Sequence, residues 1–421
     1  MTEFRHSGHH WLGLVPSHWT TRPLWSMYRR VKDVEHPEEQ MLSVFRELGV
    51  VVKDDYENLN KTAENRNIYQ LVHPAWLVVN RMKAWQGSVG ISNLRGIVSG
   101  HYICFSPTHS EDSRYLSWLL RSEAYRYAYL QLSRGVRIGQ AEIDNDLIRQ
   151  LPVLLPPPDE QREIADFLDS EAAQIDAMIE AQRSLANLLQ ERRGAVIDAA
   201  LLSLDAEWCH LSHVSTLQTG VTLGGEPPAD AAEYPYLRVA NVQSWGVDLA
   251  EVKTILVSEA DARRSTLRKG DVLMTEGGDR AALGRGCVWN GAIDPCLHQN
   301  HIFAIRPDSR VDPAYLVYVL ESRVAREYFE STRRQTTNLS ATNSTLVKQF
   351  RFPLPSLAEQ RRVITILDRS AARIEAMLGA AVEAITLMRE RRSALISSAA
   401  TGRTDPRTGK TTAPEKLLES V

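Results

Sequence analysis

Polar and basic side chains set in short loops are the residues of this 421-residue chain best suited to chemistry, and that chemistry is recognition rather than bond breaking. The stretch 80–88, NRMKAWQGS, carries Asn80, Arg81, Lys83, Trp85, Gln86 and Ser88 just beyond an apolar run. In a DNA groove, Arg and Lys pair with guanine, Asn and Gln with adenine, and Lys or Ser can hold phosphate. A turn with Trp85 packed in the core is an equally good reading of the same residues. Two more loops sit at matching places in the two halves of the chain: Arg134, Arg137 and Gln140 in the first, and Arg333, Arg334, Gln335 and Asn338 in the second. Solvated charge explains most loops of this kind, but recurrence at equivalent positions favours binding. Arg238, Asn241, Gln243, Arg280, Arg285, Gln299 and Asn300 are weaker candidates in the second half.

Catalytic constellations do not assemble from the sequence. Gly402 and Gly409 are separated by six residues where a phosphate loop needs four. Gly277, Gly278, Gly284 and Gly286 lack the strand–helix setting of a dinucleotide site. His9, His10, His298 and His301 have no glutamate at metalloprotease spacing, and no nucleophile elbow occurs. Cys104, Cys209, Cys287 and Cys296 lack paired CxxC spacing and read as free reduced thiols.

The elements that must position these loops are legible from an internal repeat. EQREIADFLD at 160–169 returns as EQRRVITILD at 359–368, an offset of 359 − 160 = 199. AAQIDAM and AARIEAM, then ERRGAVI and ERRSALI, keep the register without a gap. A repeat of this length is a duplicated domain. Ile164, Leu168, Ile175, Met178, Leu185 and Leu189 recur at steps of three, four or seven, as do Val363, Leu367, Ile374, Met377, Met388 and Leu395. The pattern predicts two helices of about 45 residues, each roughly 65 Å long, paired along this seam. Ten acids against four bases in the first, and five against seven in the second, favour pairing with each other modestly.

The globular stretches are β-rich, with strands expected near 75–80, 100–105, 271–275 and 301–306. The fold class is therefore α+β: two mostly β domains separated by two long antiparallel helices forming an intramolecular coiled coil, with a pseudo-two-fold internal repeat. The expected boundaries are 1–155 and 204–354 for the β domains, 156–203 and 355–400 for the helices, and 401–421 for a loosely ordered tail. The absence of an apolar run long enough to span a bilayer and the polar stretch 1–10 predict a soluble, cytoplasmic chain without a membrane partner, while a net charge of −3 gives no overall electrostatic footprint for nucleic acid, so that any such binding must rest on local basic clusters or on a partner's surface.

The specificity subunits of type I restriction-modification systems resemble this chain over nearly its whole length. The resemblance rests on WLGLVPSHW (11–19), VVNRMKAWQGSVGIS (78–92), RGIVSGHY (95–102), PYLRVANV (235–242), GDVLMTEGGD (270–279), both proline-then-EQR helix starts and a closing TGRTD (401–405). It implies two target recognition domains, each reading half of an asymmetric, split sequence in double-stranded DNA. It further implies docking of two methyltransferase subunits that carry S-adenosylmethionine, and indirectly of restriction and translocase subunits that use ATP with Mg. The chain itself is then non-catalytic, with no metal or cofactor of its own. An enzyme carrying its own reader, or a coiled-coil protein scaffold without DNA readout, are the competing readings. Salt-dependent, sequence-selective binding in the reconstituted complex excludes the scaffold.

Overall fold

Short runs of Val, Ile, Leu and aromatic residues, each closed by a turn former, build the β structure twice over. The computed structural model describes residues 3–56, 65–134, 141–222, 224, 230–243, 246–278, 286–332, 334–336 and 339–412. Contacts divide the chain into unit 1, Met1–Gln182 with Glu383–Val421, and unit 2, Arg183–Val382. Each unit therefore takes in part of both long helices.

Unit 1 is built on a four-stranded antiparallel sheet in the order Tyr28–Val31, Tyr102–Pro107, Leu77–Asn80, Val89–Ile91. Unit 2 repeats it as Ser215–Thr219, Ile302–Pro307, Val272–Thr275, Gly286–Val288. Helices Ser113–Arg121 and Pro313–Glu321 follow the long strand in each, entered through Asp112 and Asp312, whose carboxylates accept the first free backbone N–H groups. The chain then runs through a second short helix, a hairpin, a third short helix and a strand, Pro152–Leu155 or Arg351–Pro353, into a long helix. The cores match as well. Tyr115 is fully buried and donates to Leu154 O and Ala400 O, while buried Tyr315 donates to Pro353 O.

The long helices are Pro158–Leu202 and Leu357–Ala400. In unit 1 the start of the first packs on the end of the second, with Ile164, Leu168 and Ala172 joining Ile396, Ala399 and Ala400 in one core. In unit 2 the end of the first packs on the start of the second, through Ile197, Leu201, Val363 and Leu367. The pairing is thus antiparallel and within one chain. Two ion pairs cross the seam at repeat-equivalent positions, Arg392 with Asp176 at 3.0 Å in unit 1 and Arg193 with Glu375 at 3.1 Å in unit 2.

The seam corrects the expected one at several residues. Ile164, Leu168, Ile175, Leu189, Val363, Leu367 and Ile374 are buried, and Met388 and Leu395 partly so, but Met178, Leu185 and Met377 are 42%, 38% and 42% exposed. The first buried column of the first helix runs through Leu168, Ile175 and Leu189, and the second lies four residues on, at Ala172, Ile179 and Ala186, not three. Small side chains there let the backbones approach, so the helices close over alanine while the larger methionine and leucine face outward.

A second difference concerns the tail. Residues 401–412 fold onto unit 1: Arg403 Nη2 donates to Leu12 O at 2.9 Å, and Thr404 bridges Thr411. Gly402 has φ +76°, and a Cβ there would come within 2.5 Å of Pro16 Cγ, so only glycine fits. Composition gave no sign of these contacts because they are made by backbone and by one guanidinium. Among the described residues, no helix is long and apolar enough to cross a membrane.

The core of unit 2 encloses a histidine. His298 is fully buried, with Nδ1 3.1 Å from Ser265 O, and burial holds its pKa below the usual 6.5. A histidine whose folded pKa is depressed gives its full stability above the unfolded value, and loses it as pH falls through about 6.5. Unit 2 is therefore expected to lose thermal stability between pH 7.5 and 5, and His298→Gln to flatten that profile; an identical slope in the variant refutes the assignment.

Candidate nucleic-acid interface

The third strand of each sheet ends at a rim, and the same backbone stitching holds both rims. In unit 1, Arg81 N donates to His101 O and Ile143 N donates to Arg81 O, each at 2.9 Å. In unit 2, Glu276 N donates to His301 O and Thr342 N donates to Glu276 O, again at 2.9 Å. Each stitch ties the loop leaving the strand to a hairpin: Ser133–Arg134 with Glu142–Ile143 in unit 1, and Arg334–Thr336 with Leu339–Ala341 in unit 2. The fold therefore brings the strand-end loop 80–88 of unit 1 to the hairpin that carries Arg134, and unit 2 repeats the stitch between Glu276 and its own hairpin.

Within unit 1 the candidates divide by what their side chains already hold. Asn80 Oδ1 accepts from Met82 N and Lys83 N at 3.1 and 3.2 Å, which shapes the turn. Ser88 is buried and donates to Val44 O at 2.6 Å, so it cannot meet DNA. Arg81 pairs with Glu142, and Arg134 with Asp144 at 3.2 Å. Trp85 is half-buried and donates to Met82 O, which gives the turn reading of this residue its weight. Lys83 and Gln86 are exposed on the rim. Gly87, at φ +94°, turns the chain back after them. Arg137 and Gln140 lie outside the described residues.

In unit 2, Asn241 is buried and holds its own loop through Arg238 N, Asp248 O and Glu251 O, so it too leaves the candidate set. Arg238 pairs with Glu251 at 3.3 Å, and Gln243 donates to Ala240 O at 2.8 Å. Gln299 and Asn300 are half-buried, with main-chain N–H groups bound to Leu237 O and Val221 O. Arg280, Arg285, Arg333 and Asn338 lie outside the described residues; Arg334 and Gln335 are described only as backbone of their strand. Two rim residues escaped the sequence reading. His101 is exposed, and His301 Nδ1 stands 2.6 Å from Glu276 Oε2. Their signal was the equivalent placement of GHY at 100–102 and NHI at 300–302, which only the shared stitch makes visible.

In each unit, one glutamine fixes the start of a long helix to the segment that follows the long strand. Gln161 and Gln360 are wholly buried. Gln161 Oε1 accepts from Asp112 N at 2.9 Å, and its Nε2 donates to Pro156 O and Glu111. Gln360 Oε1 accepts from Asp312 N at 2.8 Å, and its Nε2 donates to Pro355 O and Arg310 O. This is the physical content of the EQR repeat: each amide satisfies a helix cap and a loop at once.

Comparisons with known proteins agree with this geometry. Residues 55–185 match the sequence model of the family described as type I restriction modification DNA specificity domain. The chain is 22% identical over 398 residues to the type I restriction enzyme EcoKI specificity subunit of Escherichia coli K12, covering 85% of this chain and 83% of that protein. It is 25% identical over 141 residues, a third of either chain, to a putative type I restriction enzyme MjaX specificity subunit of Methanocaldococcus jannaschii. The fold is that of a chain solved in work on the complex assembly and conformational transition of the type I R-M system, with a TM-score of 0.64, 16% identity, and coverage of 92% of this chain and 99% of that one.

Proposed function

We propose that the chain is a specificity subunit of a type I restriction-modification system and that it reads a bipartite, asymmetric DNA target, one half with the rim of each unit. The observation that carries the reading is the recurrence of one stitched rim, a strand-end loop bound to a hairpin, in both units. Exposed Lys83 and Gln86 in unit 1, and Gln299 and Asn300 in unit 2, offer the donors and acceptors that base edges and phosphates require. The methyltransferase subunits dock on the chain and supply methylation with S-adenosylmethionine, and the restriction and translocase subunits join through them with ATP and Mg. The chain contributes recognition and no bond chemistry.

The test is methylation mapping with the reconstituted complex. Lys83→Ala with Gln86→Ala is expected to weaken or relax one half-site by about 5- to 100-fold, from a loss of about 1–3 kcal/mol per bidentate contact, and to leave the other half-site intact. Gln299→Ala with Asn300→Ala is expected to do the converse. Loss at both half-sites from either pair, or at neither from both, rejects the assignment of one half-site to each unit.

A further inference from the structure

The repeat reveals one place where the two units carry opposite charge. In unit 2, Arg193 is held between two acids, Glu321 at 2.9 Å and Glu375 at 3.1 Å. Its counterpart in unit 1, Arg392, keeps the equivalent of Glu375: it pairs with Asp176, Nη2 donating at 3.1 Å and Nε lying 3.0 Å away without a hydrogen bond. The equivalent of Glu321, the last residue of the matching helix, is Arg121. An ion pair in one unit is therefore a pair of like charges in the other.

The two guanidiniums converge on one indole. Arg121 Cζ lies 5.3 Å and Arg392 Cζ 5.6 Å from the ring of Trp118. The side chain of Arg392 is 13% exposed. Arg121 is held through Nε and Nη2 by the main-chain carbonyls of Arg46 and Glu47, and has no carboxylate at ion-pair distance among the described residues. Burial, then Arg392, push its pKa down to about 10, the direction of a positive charge that its surroundings undercompensate.

A hollow of about 320 Å³ opens beside these groups, with Arg389 on its wall. Four acids line it too, and two are taken: Asp176 by Arg392, and Glu123 by Arg46 and Arg126. Glu47 and Glu390 are exposed. Donors on the lining that make no hydrogen bond among the described residues include Nη1 of Arg121, Nε and Nη1 of Arg392, Ser122 Oγ and the fork of Arg389. Planar guanidinium forks lining one hollow are suited to a tetrahedral oxyanion, which accepts several such donors at once.

We infer that this hollow of unit 1 is a receptor for a phosphate group, gripped by Arg121, Arg389 and Arg392 over Trp118, and that unit 2 lacks it because Glu321 fills the anion's role. The phosphate can be free or part of a nucleic-acid backbone, since the recognition chemistry is the same. The inference does not rest on the proposed reading of DNA.

The test uses the full chain and inorganic phosphate against chloride at equal ionic strength. Phosphate is expected to raise the unfolding temperature of unit 1 saturably, by about 3 °C or more. Arg121→Glu, which installs the acid of unit 2, is expected to abolish that rise while keeping or exceeding the wild-type unfolding temperature in chloride. Glu321→Arg is expected to create a second phosphate response, in unit 2. A wild type that does not distinguish phosphate from chloride overturns the inference, as does an Arg121→Glu variant with an undiminished response. Duplex DNA then separates the sources: a salt slope for binding lowered by about one in Arg121→Glu assigns the phosphate to the backbone, and an unchanged slope with the inorganic response lost assigns it to free phosphate.

Discussion

Seven residues inserted into only one long helix, after Gln182, are expected to destroy the folded chain, whereas the same insertion made also after Ala381 restores it. The reason lies in two equal spans. Asp176 and Arg193 are 193 − 176 = 17 residues apart on the first helix, and Glu375 and Arg392 are 392 − 375 = 17 apart on the second. One heptad adds roughly 10 Å to one span. The antiparallel pairs of unit 1 and unit 2 then cannot both close, and one buried set, Ile164 with Ile396 or Ile197 with Val363, must open. Opening either set removes several large apolar side chains from a core, each worth about 2–5 kcal/mol when truncated. Matched insertions keep both registers and are expected to lengthen the unread spacer of the methylated target without altering either half-site. Soluble expression with thermal unfolding checks the first expectation, and methylation mapping the second. A stable single-insertion chain, or an unchanged spacer in the double, contradicts the account.

The second large effect is expected at the buried glutamines. Gln360→Met keeps the volume but leaves Asp312 N, Pro355 O and Arg310 O without a partner. Each unsatisfied buried group costs about 1–3 kcal/mol, so a loss of at least about 3 kcal/mol is expected in denaturant unfolding of unit 2. Gln161→Met is expected to do the same in unit 1. Gln360→Glu separates packing from hydrogen bonding. An ionised carboxylate facing two carbonyls has its pKa raised in the fold, so its stability is present below about 4.3 and is lost as pH rises. A Gln360→Met chain that unfolds at the wild-type denaturant concentration rules out this role.

Much of the fold was legible because its determinants are local and repeated. The gapless offset of 199 required two rods of one geometry, and the apolar runs near 75–80 and 271–275 became the strands Leu77–Asn80 and Val272–Thr275. What escaped depends on partners distant in sequence. Heptad logic could not choose between the columns of Met178 and Ile179, since the choice is made by where the other helix lies. Composition made the stretch after Ala400 look loose, yet it is held by a carbonyl at Leu12 and by space beside Pro16. The loops at 80–88 and 133–140 were found as clusters. Which of their side chains face outward was not readable, because Asn80, Ser88 and Arg81 are engaged by groups two to some sixty residues away.

The division of unit 1 into two chain segments sets an order of events during synthesis. Unit 2 is one continuous stretch, Arg183–Val382, and can close as soon as it has left the ribosome. Unit 1 cannot: Tyr115 waits for Ala400, the N–H of Glu123 waits for Ser397, and Leu12 waits for Arg403. The first module to be translated is thus the last to be completed. Through that interval its unpaired apolar faces are the part of the nascent chain that a chaperone must guard.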